Sequence, residues 1–137
     1  MKLLMIYCNR FAYQPAVKAL NVADINHRGA SYNDIQTAFI QVEEEDEEHE
    51  TEVVKKLIKN LKWICGKNNT NKKIVLHSFA HLSESKATPE FTQAFFNKID
   101  ERLTNSGYEV MQTPFGYFLD LDIQAPGFSL ARVYKSF

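Results

Sequence analysis

The pattern of apolar and polar residues predicts a series of short strands. Continuous or alternating apolar runs bounded by polar turns occur at Leu3–Cys8, Ile35–Val42, Ile74–Leu76, Tyr108–Met111, Tyr117–Ile123 and Ala131–Tyr134. Asn9–Tyr32 has no clean period, so we predict a long loop with one short element at Ala16–Val22. In Tyr117–Ile123, apolar Leu119, Leu121 and Ile123 alternate with their neighbours, which predicts a strand with one solvent-exposed face.

The strand at Ile74–Leu76 is the one from which we expect a binding site to extend. Its unbroken run of β-branched and apolar residues is typical of a strand buried on both faces. It leads into a turn that carries His77 and His81, and open α/β sheets bind ligands beyond such strand ends. Phe79–Ser83 is therefore the first candidate for a pocket wall, and the loop at Thr113–Tyr117 is a second wall that would face it.

Apolar residues at helical spacing predict two helices. The first runs from about Glu50 to Cys65 and is ended by Gly66. The second begins at Thr88 as N-cap, with proline at the first helical position, and is stopped by Gly107. Its predicted buried stripe consists of Phe91, Ala94, Phe95, Ile99 and Leu103. The order of elements predicts one compact α/β domain over residues 1–137, with a mixed β-sheet and two main helices.

Charge and cysteine content limit the classes of partner. The formal net charge is −1, which argues against binding to bulk duplex nucleic acid or to an anionic membrane. Recognition of a single RNA end needs only a few phosphate contacts and stays possible. Cys8 and Cys65 form no spaced motif, so we expect free thiols and a cytoplasmic protein. No apolar run is long enough to span a bilayer.

Two charged segments have simple interpretations. Glu43–Glu50 contains seven acidic residues, which we interpret as the solvated entry to a helix rather than a cation site. The first helix carries several lysines outside its apolar stripe. We predict that these lysines are exposed to water rather than in contact with RNA phosphates; they are Lys55, Lys56, Lys59 and Lys62.

Few side chains form a pattern that suggests chemistry. His77 and His81 straddle a strand end, and without a nearby cysteine or third histidine they do not indicate a metal site. His81 either orients a substrate or a water molecule, or is a capping or core histidine. Cys8 is expected to be a buried, inert thiol because no base is visible near it. Asp120 and Asp122 are interpreted as the solvent side of a strand rather than an acid pair.

Two segments together resemble a known family. Phe79–Ser83 reads FAHLS and Thr113–Tyr117 reads TPFGY, with a predicted helix between them. The archaeal-type editing domain of threonyl-tRNA synthetase has the same order: [FY]AHLS, a helix, then APFG[YW]. The similarity extends to Ala38–Glu43, the acidic run, the first helix and Ser106–Tyr108. The chain resembles this editing domain over nearly its whole length.

The resemblance implies a D-aminoacyl-tRNA deacylase-like fold, usually as a homodimer, that hydrolyses seryl-tRNA(Thr) without metal or cofactor. The implied partner is the acceptor end of tRNA-Thr, and neither DNA nor a membrane is expected. In such a domain backbone groups read the amino acid, and the 2′-hydroxyl of the terminal adenosine assists attack of water on the ester. The implied catalytic residue is His81, and the implied substrate-binding residues are Tyr7, Val42, Ala80, Phe115, Gly116, Tyr117 and Phe118.

Several positions depart from the family pattern. Leu119 stands where the family has a lysine important for catalysis. Loss of such an ammonium removes ~2–4 kcal/mol of transition-state stabilisation, a rate factor on the order of a hundred or more. The family's closing Cys, Gly-His-Pro and Glu correspond to Ala125, Gly127–Ser129 and Arg132, and its His-Ser-Asp to Tyr7–Asn9. The expected activity is weak, redirected to another aminoacyl ester, or absent.

Two other functions fit the same residues. One is a non-catalytic module that binds a tRNA 3′ end, a nucleoside or an amino acid. The replacement of the family lysine by Leu119 is the reason to consider it. The other is a dimerising domain whose pocket has been filled by Leu119 and Phe128. The chain ends at Phe137, about where an editing domain would be followed by synthetase domains. The sequence therefore fits a freestanding protein and an excised domain equally well.

Overall fold

The computed structural model describes residues 1–21 and 28–137. Its strands and helices follow the predicted order, with a short 3-10 turn at Glu44–Glu47 before the first helix. The elements are β1 (Lys2–Lys18), β2 (Ala30–Gln41), α1 (Glu50–Lys67), β3 (Lys73–Ser78), α2 (Pro89–Asn105), β4 (Glu109–Gln112), β5 (Tyr117–Gln124) and β6 (Arg132–Ser136). Helix α1 continues one residue past Gly66, so the predicted end of that helix was slightly early.

The described strands form one mixed sheet in the order β4-β3-β2-β1-β5, with β6 also paired to β1. Strands β2, β3 and β4 are parallel, whereas β1 is antiparallel to each of its three partners. Strand β1 is long enough to serve two of them along one edge: Lys2–Ile6 pairs with β6, and Arg10–Lys18 pairs with β5. Because β2 and β3 are parallel, their carboxyl ends lie side by side.

The predicted long loop at Asn9–Tyr32 was wrong at both ends. Strand β1 continues to Lys18 and β2 already begins at Ala30, so the two form a long antiparallel pair. Pro15 hid the continuation of β1 in the sequence, because proline lacks the backbone N–H that strand pairing uses. In the structure the pairing register with β5 shifts between Pro15 and Val17, and a proline is tolerated at such an irregularity. Residues 16–18 of the predicted short element belong to β1, and Val22 lies outside the described residues.

The main core lies between both helices and one face of the sheet. Buried residues of α1 and α2 pack there against Leu3, Met5, Ala38, Ile40, Ile74 and Leu76. Thr88 caps α2 as predicted, since its hydroxyl accepts a hydrogen bond of 3.2 Å from the backbone N–H of Phe91. Ala94 is exposed, so its place in the predicted buried stripe was wrong. Phe96, which the sequence places beside that stripe as a residue that could widen the buried face, is buried.

A second apolar cluster lies on the other face of the sheet and contains no helix residue. Its buried members are Cys8, Phe11, Tyr13, Ile35, Phe39 and Val75. Strand β5 lies at the edge of the described sheet, and its Leu119 packs, partly buried, against this cluster. Leu121 and Ile123 are 39% and 37% exposed, so the apolar face that the alternation implied for this strand is buried only at Leu119. The reason is position: among the described strands, β5 pairs only with the outer half of β1 and leaves its other edge uncovered by a strand.

Two residues of the acidic run are held inward, contrary to the solvated interpretation of the whole run. Asp46 is buried, and the ammonium group of Met1 donates hydrogen bonds to its carboxylate and to that of Glu43. The same ammonium group donates to the backbone carbonyl of Phe137 at 2.8 Å. The start of the chain, its last residue and the entry to α1 are therefore joined through one charged group.

Candidate functional site

A cavity of about 440 Å³ lies at the carboxyl ends of β2 and β3. Three segments enclose it: the loop after β3 with the start of α2, the turn between β4 and β5 with β5 itself, and residues just beyond β1. The lining residues are Ala19, Leu20, Ile40, Gln41, Val42, His77, Ser78, Phe79, Ala80, His81, Lys86, Ala87, Pro89, Thr92, Phe115, Gly116, Tyr117, Phe118, Leu119 and Leu121. The position agrees with the rule that ligands bind beyond the carboxyl ends of parallel strands.

Gln41, at the end of β2, fixes the loop that forms one wall of the cavity. Its side-chain oxygen accepts hydrogen bonds from the N–H groups of Leu82 (2.6 Å) and Ser83 (2.7 Å). Its side-chain nitrogen donates to the carbonyl groups of Ser83 (2.7 Å) and Ser85 (2.8 Å). All four partners are backbone groups, and Gln41 is only 2% exposed. The loop conformation therefore depends on one buried amide.

Glu43 holds the same loop from the outside. The hydroxyl of Ser83 donates to its carboxylate at 2.7 Å, and Lys2 lies 3.1 Å from the other oxygen. Burial raises the pKa of Glu43, but the hydrogen bonds from the Met1 ammonium, Ser83 and Lys2 outweigh it and lower the pKa to about 2. The carboxylate is therefore ionised at neutral pH, which is the form that accepts all of these hydrogen bonds.

His77 lies within β3 rather than in the turn after it, and it is buried. Its Nδ1 shares a hydrogen bond of 2.8 Å with the hydroxyl of Thr113, which joins the two loops that face each other across the cavity. Its ring packs edge-on against Phe39 at 4.8 Å. Burial, with a smaller contribution from His81, lowers the pKa of His77 to about 4. His77 is thus a neutral, structural histidine at pH 7.

His81 is exposed and forms part of the cavity wall. Its ring contacts that of Phe79 at a centroid distance of 4.9 Å, and Phe79 in turn packs against Phe39 at 5.1 Å. A row of aromatic rings thus supports His81 from the core outward. An imidazole in this position is accessible to a ligand and to water, so it can donate or accept a hydrogen bond in the cavity.

The structure brings together most of the residues that sequence reasoning placed at the site. Val42, Ala80, Phe115, Gly116, Tyr117 and Phe118 line the cavity together with His81. Tyr7 is not part of the lining; its hydroxyl donates to Asp34 at 3.3 Å, and its ring packs against Phe128 at 5.6 Å. Because Phe128 is engaged there, it does not fill the cavity. Leu119 does line the cavity and leaves it open.

The other candidates for chemistry lie elsewhere. Cys8 is fully buried, and burial raises the pKa of its thiol, which disfavours the reactive thiolate. Asp120 and Asp122 are exposed, and Asp122 forms an ion pair with Arg10 at 3.2 Å. None of these three residues lines the cavity.

Gln41 and Lys86 are the two lining residues of interest that sequence reasoning missed. A signal for the first was present: a glutamine inside the apolar run Ala38–Val42 has to find hydrogen-bond partners when that run is buried. Nothing in the local sequence marked Lys86, because its relation to the cavity depends on the path of the loop.

Within residues 1–21 and 28–137, no group of three potential ligands among His, Cys, Asp and Glu is placed to hold a metal ion. The helices in that part of the chain are all too short or too polar to cross a membrane.

Comparison with known proteins places the whole chain beside one family. Residues 1–137 match the family described as the archaea-specific editing domain of threonyl-tRNA synthetase. The chain is 31% identical to threonine–tRNA ligase of Thermococcus kodakarensis, 29% to that of Thermococcus sibiricus and 28% to that of Methanosphaera stadtmanae, in each case over 99% of the chain and 22% of the relative. The chain thus spans about a fifth of the length of these relatives.

A solved structure supports the fold. The c-Myc DNA Unwinding Element Binding Protein superposes with a TM-score of 0.72 at 13% identity, covering 100% of this chain and 99% of that one. At this identity the likeness concerns the fold alone. The predicted fold class, a single compact α/β domain with a mixed sheet and two main helices, is confirmed.

Proposed function

Because this chain belongs to the archaea-specific editing-domain family of threonyl-tRNA synthetase, with the tRNA-editing role that the family has, we propose that it hydrolyses the ester of a mischarged aminoacyl-tRNA, with seryl-tRNA(Thr) as its substrate. The observation that carries the proposal is the cavity itself. Both segments that resemble the family, Phe79–Ser83 and Thr113–Tyr117, contribute residues to its walls. A terminal nucleoside with its small aminoacyl group is the ligand that this cavity would take, and the acceptor end of tRNA-Thr is the proposed partner.

The site favours a reaction that needs few side chains. Residues 78–80 and 115–116 line the cavity, and their backbone groups are the proposed contacts to the ammonium and hydroxyl groups of the amino acid. The N–H of Phe79 already donates to the carbonyl of Ile40, and the carbonyl of Gly116 already accepts from the N–H groups of Ala19 and Leu20, so these contacts fall to the other backbone groups of the two segments. His81 is the proposed group that orients substrate and water, while the 2′-hydroxyl of the terminal adenosine assists the attack. His77 stays neutral and anchors the two walls.

Leu119 sets the expected rate. It lines the cavity from β5 and is an apolar side chain where the resemblance expects a lysine. An ammonium beside the reacting ester would stabilise developing negative charge by ~2–4 kcal/mol, so we expect hydrolysis that is slower by a factor on the order of a hundred or more.

A deacylation assay tests the proposal. Mischarged seryl-tRNA(Thr) is incubated with the wild-type protein, His81→Ala and Leu119→Lys, and the released serine is measured under single-turnover conditions. The wild type should release serine above the uncatalysed rate, His81→Ala should reduce the rate, and Leu119→Lys should increase it. No release above background with seryl, glycyl, alanyl or D-aminoacyl esters would refute the proposed reaction.

A non-catalytic binding module is the second candidate, and Leu119 is the observation that favours it. In that case the cavity still holds a tRNA 3′ end, a nucleoside or an amino acid. Calorimetric titration with a non-hydrolysable seryl-adenosine analogue separates the two functions: binding without hydrolysis supports the module, and absence of heat argues against it.

We also propose that the protein is a cytoplasmic homodimer. Strand β5 lies at the edge of the described sheet and carries exposed apolar side chains, as does the neighbouring end of β1. Val17 and Phe118, which face each other in register, are both 59% exposed. An exposed apolar edge strand is a surface that proteins usually cover, and a second copy of the chain would cover it.

A further inference from the structure

Lys86 is the single lysine or arginine among the described residues that line the cavity, and none of those residues carries a carboxylate. It belongs to the loop between β3 and α2, and it is exposed. Lys86 is thus a lining residue open to solvent, whereas Ile40 and His77, which also line the cavity, are buried.

The ammonium group of Lys86 has no hydrogen bond or ion pair with any residue that the structure describes. By contrast, Lys2, Lys56 and Lys98 are each paired with a glutamate. Glutamates do reach this loop, since the carboxylate of Glu47 accepts a hydrogen bond of 3.0 Å from the N–H of Thr88, but none of the described glutamates forms an ion pair with Lys86. A lysine without an ion-pair partner, lining a cavity with mostly apolar walls, is available to an anionic ligand group.

The backbone around Lys86 is fixed on both sides. The carbonyl of Ser85 accepts the hydrogen bond from Gln41, and the N–H of Ala87 donates to the carbonyl of Val42 at 3.0 Å. The side chain of Lys86 is long, but its starting point cannot drift away from the cavity. Less ordering is therefore needed when it binds a ligand.

We propose that Lys86 binds the 5′-phosphate of the nucleoside that enters the cavity. The identity of that nucleoside rests on the proposed function. A terminal nucleoside and its aminoacyl ester carry no negative charge, so the nearest anion of such a substrate is the phosphate that links it to the rest of the RNA. When the nucleoside occupies the cavity, this phosphate remains on the solvent side, to which Lys86 is open. Its partner is thus the RNA backbone rather than the reacting ester.

The test compares adenosine 5′-monophosphate with adenosine by calorimetric titration at low ionic strength. The wild type should bind the monophosphate roughly three- to tenfold more tightly, a typical effect of one exposed charge, and the difference should shrink as salt is added. Lys86→Met should abolish the difference and Lys86→Arg should retain it. Lys59→Met, which removes an exposed lysine of α1 away from the cavity, is the matched control and should behave as the wild type.

Three results would overturn the proposal: no preference for the monophosphate in the wild type, a preference that survives in Lys86→Met, or its equal loss in Lys59→Met. Seryl-tRNA(Thr) hydrolysis by the same variants separates this inference from the proposed function. Lys86→Met should raise KM and leave kcat unchanged. If the protein prefers the monophosphate through Lys86 but does not hydrolyse seryl-tRNA(Thr), the phosphate site is supported and the proposed hydrolase is refuted. If it hydrolyses seryl-tRNA(Thr) but shows no such preference, the hydrolase is supported and the phosphate site is refuted.

Discussion

Replacing Gln41 by leucine tests whether one buried amide holds the cavity wall. Leucine has a similar size, so the apolar surroundings of the strand end stay filled. The change removes four hydrogen bonds to the backbone of Leu82, Ser83 and Ser85 without touching the loop itself. Two N–H groups and two carbonyl groups then lose their partners in a segment that is only partly exposed.

The size of the effect follows from these four contacts. A hydrogen bond contributes about 0.5–1.5 kcal/mol net, which gives roughly 2–6 kcal/mol if nothing compensates. Water can reach Leu82, Ser83 and Ser85 in part, and the buried leucine gains hydrophobic free energy, so the lower end applies. We expect the free energy of unfolding of Gln41→Leu to be about 2–3 kcal/mol lower than that of the wild type.

Two measurements are needed, because stability alone does not locate the change. Urea unfolding gives the free energy, and amide hydrogen exchange gives the protection of the Leu82 and Ser83 N–H groups, which should fall far more than that of the core strands. Gln36→Leu is the matched control. Gln36 is equally buried in β2, but it lies near the middle of the strand, where it bonds Asn68 and the carbonyl of Thr37 rather than the loop after β3.

The control should lose stability and keep the protection of Leu82 and Ser83, as well as nucleoside binding in the cavity. Unchanged protection of these two amides in Gln41→Leu would refute the reasoning. So would an equal loss of their protection in Gln36→Leu, because the effect would then be a general loosening of β2.

Three further predictions concern acid stability and association. Neutral His77 has a pKa of about 4 against an ordinary value of 6.5, so the unfolded chain takes up a proton first as the pH falls from 6.5 to 4. The free energy of unfolding should therefore fall by up to about 3 kcal/mol over this range. Urea unfolding at several pH values should show this slope, and His77→Phe should remove it. Ionised Glu43 has a pKa of about 2 against 4.5, so its contribution to the free energy of unfolding, about 1–2 kcal/mol after solvent screening, should be lost as the pH falls from 4.5 to 2. Glu43→Gln should lack this loss in the same assay. The same pH profile in Glu43→Gln as in the wild type would contradict the assigned hydrogen bonds. Ile123→Lys, on the exposed edge strand, should change the molecular mass measured by analytical ultracentrifugation from that of a dimer to that of a monomer. A wild type that is monomeric at all concentrations would refute the proposed dimer.

The sequence by itself determined the helices, the order of the elements along the chain and the two segments that form the cavity walls. Apolar spacing marks α1 and α2 because each buries one stripe, and the Thr88 cap is a local hydrogen bond that needs no distant partner. Phe79–Ser83 and Thr113–Tyr117 were recognisable because their residue types are specific. Local patterns were therefore sufficient wherever the stabilising contacts are local.

Only the tertiary structure decided the features that depend on distant partners. Strand β1 runs past Pro15 because β2 and β5 pair with it, and Leu121 is exposed because β5 is an edge strand of the described sheet that pairs with β1 alone. Gln41 holds a loop more than forty residues away, and Lys86 lines the cavity because that loop is held. Such contacts join residues far apart in the chain, and the sequence carries no local signal of them.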